Sequence, residues 1–227
     1  MSKLNNYIYR LFTDLDGQLY RIEKAEYIST WKMNVSLFLA TIAIYIWMAW
    51  LGMGSNPISS TLHATTPGVF NAFKLWFIAG RGLFAIIFAG IILFLVSYIF
   101  YLFTSIPYRK LVIMQQVVLV VLLFERLLWI PLFVFLGLNW YVSPFSLGVL
   151  ASYVTDFELV IYFFGAISIL QIWIMFFQVK YMYRLQTLAL DKRNIWWIVI
   201  AWHIFTYILV ATLSYYDEEL LFGWFKS

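Results

Sequence analysis

Glu125 and Arg126 stand side by side in LLFERLLWIP (122–131), and no other charge occurs between Leu111 and Tyr153. A carboxylate can hold a proton or a cation, and a guanidinium can hold an oxyanion. An ionisable group inside a membrane span is a functional hypothesis by default. Adjacent residues on a helix lie about 100° apart, so the two do not face each other. Gln115 does share a face with Arg126, since a separation of eleven residues turns the helix to within about 20° of whole turns. Gln171 and His203 add polar groups in other apolar runs, and Gln116 adds one in the same run. Two readings stand. Gln115, Glu125, Arg126, Gln171 and His203 form a polar site for a substrate or a proton. Alternatively, the charged pair pins one helix against another, or marks where a helix breaks. Pro131 removes a backbone hydrogen bond and should kink or end the helix.

His203 has no second His, Cys or carboxylate at ligand spacing, so it is expected to be a packed, hydrogen-bonded histidine, with no metal bound. The chain has no cysteine, which excludes disulfides, thiolate metal sites and a Cys nucleophile. It carries no Gly-rich phosphate loop, no G-x-S-x-G and no zinc-protease helix motif. The expectation is a protein that is no enzyme, takes no cofactor and binds no nucleic acid. A second motif is the loop SPFSLG. Ser143 precedes Pro144 and is biased to extended backbone. Ser146 and Leu147 follow, and Gly148 permits a tight turn. This loop reads either as a packed turn or as a contact for a partner or lipid.

The elements that must hold these residues are membrane spans. Of 227 residues, 64% are apolar and 11% charged, against about half and about a quarter in a soluble domain. Uncharged or nearly uncharged runs of the length a bilayer needs occur at 34–53, 82–103, 111–135, 159–177 and 195–213. The expected fold is all-α: a five-helix transmembrane bundle over 34–213, a cytoplasmic amphipathic segment at 1–33 and a short extracytoplasmic tail at 214–227. A β-barrel would show shorter, alternating segments. If the third helix enters the bilayer just after Lys110, Glu125 lies about 22 Å in and Arg126 within about 8 Å of the far boundary.

Five crossings put the termini on opposite sides. Segment 1–33 carries five Lys and Arg, 104–110 two and 178–194 four, whereas the opposite side has only Lys74, Arg81 and Lys226. The positive-inside rule places the N-terminus in the cytoplasm and the acidic tail Asp217–Glu218–Glu219 outside. In the first segment Phe12, Leu15, Leu19 and Ile22 recur at helical spacing. That suits a helix lying on the inner membrane surface or a cap packed on the spans, and Gly17 counts against a helix. Residues 55–66 read as a polar loop, and 67–80 as an interfacial helix or a long lead into the second span.

Three stretches resemble bacterial proteins of the Yip family, the Ypt/Rab-interacting protein domain. One is LFTDLDGQLYRIEKAEYISTWK (11–32), with its Ser/Thr-Trp-Lys entry to the first span. The others are SPFSLGVLASYV (143–154) and AISILQIWIMFFQVKYMYRL (166–185). The family often has an Asp shortly before the aromatic-Ile-Trp of the last stretch, where this chain has Leu170-Gln171. The resemblance implies a compact five-helix bundle in the plasma membrane with a cytoplasmic N-terminus. It also implies a non-enzymatic adaptor or accessory subunit contacting membrane lipids and another membrane protein. An ABC-type exporter acting in toxin or antimicrobial peptide resistance is the implied partner. The alternative carried by the polar residues alone is a small self-sufficient transporter or channel.

Overall fold

The computed structural model describes residues 11, 13–25, 29–55, 66–186 and 191–216. Phe12, most of the loop 55–66 and the acidic tail lie outside the described residues. Those described fold entirely from helices, with no strand and one isolated bridge between Ser146 and Ser168.

Helix α1 (Leu15–Lys24) starts where the Asp14 carboxylate accepts a hydrogen bond from the Gly17 amide at 3.1 Å. A Cβ on Gly17 would run into that carboxylate. The glycine that argues against a helix is therefore what lets its cap close. Leu19 and Ile22 are fully buried in the main core together with Leu11, while Asp16, Tyr20, Arg21 and Glu23 stay exposed. Lys110 Nζ donates to the Glu23 carbonyl at 2.8 Å. Lys180 pairs with Asp16 at 3.0 Å and Arg184 with Glu23 at 3.5 Å.

Helix α2 (Trp31–Trp50) begins within the entry segment, taking Trp31 and Lys32 into the helix. It buries Asn34, Leu37, Thr41, Tyr45 and Met48, a seam at three- and four-residue spacing. It ends in a turn where Gly52 and Gly54 take positive φ. Helix α3 (Pro67–Gly90) runs through a π-helical turn (Ile91–Leu95) into α4 (Val96–Phe103). Residues 67–80 are thus the long lead into the second span. That span covers 36 residues, about 54 Å of helix.

Helix α5 (Tyr108–Leu136) is the centre of the bundle. Its residues 111–119 are buried on every side, as a helix apolar all round must be. It packs against α2, α4, the π-helical turn and helix α8 (Ile169–Leu185). Pro131 does not end it. The helix continues five residues further and stops at Gly137, whose φ of 64° allows Leu138 N–H to reach back to the Leu132 carbonyl at 3.3 Å.

A 3₁₀ turn (Trp140–Val142) and helix α6 (Gly148–Val154) follow. The predicted fourth span is split. Helix α7 (Glu158–Gly165) stops, and α8 starts after Ser168, whose hydroxyl accepts from the Gln171 amide at 3.1 Å. Backbone groups freed by the break are taken up by the SPFSLG loop. Leu147 N–H donates to the Ile167 carbonyl, and Ile169 N–H to the Phe145 carbonyl, both at 3.0 Å. Gly148 is needed here for room and not for a turn. Its φ is ordinary, but a Cβ would strike the Tyr141 carbonyl oxygen, and one on Gly165 would come within 2.8 Å of Tyr141 Cα.

Helix α9 (Lys192–Tyr216) buries Ile195, Val199, His203, Tyr207 and Ala211, one every four residues. It packs on α7 through Phe163–Tyr207 and on α8 through Phe176–Trp196. Among the described residues, four helices are long and apolar enough to cross a membrane: α2, α3 continued through α4, α5 and α9. The split fourth element is the exception, because neither α7 nor α8 alone has the required length.

Candidate intramembrane polar site

The residues singled out in the sequence divide into a connected set and two outliers. Glu125, on α5, is 7% exposed. Gln171, in the first turn of α8, turns its Nε2 toward Glu125 Oε2 at 3.5 Å, a long contact. His203, one turn before Tyr207, lies 2.9 Å by its Nε2 from Gln178 Oε1 on α8 and 3.2 Å by its Nδ1 from the Tyr207 oxygen. A carbonyl oxygen only accepts, so Nε2 donates to Gln178 Oε1, while Nδ1 faces the Tyr207 hydroxyl. Gln178, His203 and Tyr207 therefore make one polar thread between α8 and α9, and Gln171 joins α8 to Glu125 on α5.

Arg126 takes no part in that thread. Its guanidinium carbon sits 3.8 Å from the centre of the Trp129 ring, one turn toward the end of α5. Gln115 is fully buried, and neither side-chain atom finds a hydrogen-bond partner among the described residues. Gln115 and Arg126 share a helix face but lie about 16 Å apart along the axis, so nothing brings them together. Gln116 instead donates to Asn34 Oδ1 at 2.5 Å, joining α5 to α2.

Tyr207, Gln178 and Asn34 are the members that the sequence reading missed. A signal existed for each. Gln178 follows Gln171 by seven residues and shares its face, and Tyr207 follows His203 by four. Asn34 heads the apolar seam of its own helix. In the SPFSLG loop, Ser143, Ser146 and Gly148 are buried while Pro144 and Leu147 are exposed. Ser146 Oγ donates to the Ser143 carbonyl at 2.9 Å.

No group of three His, Cys, Asp or Glu that could hold a metal ion occurs among the described residues. A hollow of about 300 Å³ lies far along the bundle, between Trp50, Gly52, Phe70, Lys74 and Phe77, and none of the predicted polar residues lines it. No family model, curated protein or solved structure matches the chain.

Proposed function

We propose that this chain is a non-enzymatic multi-pass membrane protein that works as an adaptor or accessory subunit of another membrane protein. The partner implied by the resemblance to the bacterial Yip family is an ABC-type exporter handling toxins or antimicrobial peptides. One observation carries this reading. Three pairs of polar side chains inside the apolar helices fasten helix to helix: Gln116 to Asn34, Gln178 to His203, Gln171 to Glu125. Such contacts fix register and leave the outward faces to lipid and to a partner. On this reading α7 and α8 together make a fifth crossing beside α9, the N-terminus lies in the cytoplasm and α1 caps the inner end of the bundle. Mild-detergent purification from native plasma membrane, with mass spectrometry of what comes along, tests it. An ATPase and its permease recovered in stoichiometric amounts support it, and crosslinks confined to copies of this chain sink it.

A second reading, a self-sufficient transporter, is favoured by where Glu125 sits. It meets the first turn of α8 at a break between two half-helices, and discontinuous helices line the substrate sites of many transporters. The full chain alone in liposomes decides. Proton or solute flux that disappears on replacing Glu125 and Arg126 together by Leu supports transport. Flux no greater than that of empty liposomes ends it.

A further inference from the structure

Arg126 is a charge inside an apolar helix, and its surroundings leave its donors unused. A guanidinium has five N–H donors in its plane. None has a hydrogen-bond partner among the described residues, and the side chain is half-buried. The neighbouring Glu125 is buried, and its carboxylate meets Gln171 on α8. The Trp129 ring meets the flat face of the cation, which takes up charge but none of the in-plane donors. What such a group still lacks is an oxyanion that accepts several hydrogen bonds at once.

Depth says which oxyanion. The Arg126 guanidinium lies against the ring of Trp129, three residues nearer Gly137, and a long cationic side chain at this level can reach the headgroups. Trp129 opens an aromatic ledge at that end. Its ring centre is 6.2 Å from that of Trp140, which stacks at 6.1 Å on Tyr162, itself 4.9 Å from Tyr141. Trp and Tyr collect at headgroup level. Counted from Lys110, the same level falls about 24–30 Å along α5, close to the thickness of the hydrocarbon layer.

We propose that Arg126, held on the ring of Trp129 beside Trp140, binds the phosphate of a phospholipid in the leaflet at the Gly137 end of α5. By the distribution of Lys and Arg this is the outer leaflet. The lipid is a structural ligand: its phosphate neutralises Arg126, and its glycerol lies against the rings.

The test uses the full chain, delipidated in detergent and mixed with phosphatidylglycerol or with diacylglycerol, which lacks the phosphate. Native mass spectrometry reads the bound lipid. Phosphatidylglycerol should be retained and diacylglycerol not. Arg126→Gln should lower occupancy by the first phosphatidylglycerol roughly tenfold. Arg126→Lys, which keeps the charge but not the planar fork, should restore part of it. Further lipids, held by the Lys and Arg of the opposite end, should stay. If Arg126→Gln is not recovered folded, Trp129→Leu carries the test by loosening the seat of the guanidinium, and it should lower the same occupancy. Equal retention of both lipids, or unchanged occupancy in either variant, overturns the proposal. So does a Gln variant that keeps its lipid and loses a co-purifying protein, because the guanidinium then meets a protein carboxylate instead.

Discussion

A methyl group added at position 148 has nowhere to go. It would meet a backbone carbonyl, which cannot swing aside as a side chain can. Gly148→Ala should therefore cost about 1–3 kcal/mol, the usual range for overpacking. At Gly90 the same addition meets nothing within 4 Å. Gly90→Ala should be neutral or stabilise by up to about 1 kcal/mol through helix propensity. Thermal unfolding of the two purified variants checks the contrast, and equal melting temperatures would show that the loop does not seat on Tyr141 as described. A second pair of substitutions tests the polar thread. Gln178→Leu strands His203 Nε2 in an apolar surround and should cost about 1–3 kcal/mol. Adding His203→Leu should cost less than the sum of the single changes, since the stranded group goes too; a strictly additive double variant would mean that the two side chains are not coupled. At this scale the sequence was a good guide to which residues matter and a poor one to whom they meet. Glu125, Gln171 and His203 stand out as polar groups in apolar runs. Helical spacing shows that Gln171 and Gln178 share a face, but not that α9 lies opposite.

Helix α1 separates what salt bridges do from what apolar burial does. Its ion pair Lys180–Asp16 joins side chains that are 51% and 79% exposed. Such pairs contribute about 0.2–1 kcal/mol or less and weaken with salt. Leu19 and Ile22 are fully buried, and truncating a buried Leu costs about 2–5 kcal/mol. Asp16→Asn should thus leave α1 docked, and so should high salt, whereas Leu19→Ala should free it. Limited proteolysis between α1 and α2 reads the difference; release by salt alone would mean that charge holds the helix. The spacing of Leu15, Leu19 and Ile22 made the helix legible, but the same stripe suits a bilayer surface equally well. Only the position of α5 and α8 beneath it fills the choice. The split of the fourth span was hidden for another reason. An apolar run has no periodicity that reports a break. The signal was local: Ser168 with Gln171 three residues on is the start of a capping box, and Gly165 precedes it.

At the scale of the whole molecule, everything about sidedness turns on whether α7 and α8 together cross the bilayer. End to end, the 8 residues of α7 and the 17 of α8 make about 38 Å of helix, enough to cross even with a break. Both halves lie along α9, which is itself long enough to span. Composition made the membrane class legible at once, because 64% apolar residues exceed what a soluble core can hide. It could not settle the number of crossings, which depends on how two half-helices add. The native chain has no cysteine, so each introduced one is a unique label. Ser152→Cys, in α6, and Asn194→Cys, in the first turn of α9, should react with a membrane-impermeant maleimide from opposite faces of oriented vesicles. Asn139→Cys should react from the face of Ser152→Cys, and Ser105→Cys from that of Asn194→Cys. If Ser152→Cys and Asn194→Cys react from one face, α7 and α8 form a re-entrant hairpin and the crossings number four. The four Lys and Arg of 178–194 would then lie opposite those of the first segment, and the charge asymmetry that orients the bundle would largely cancel.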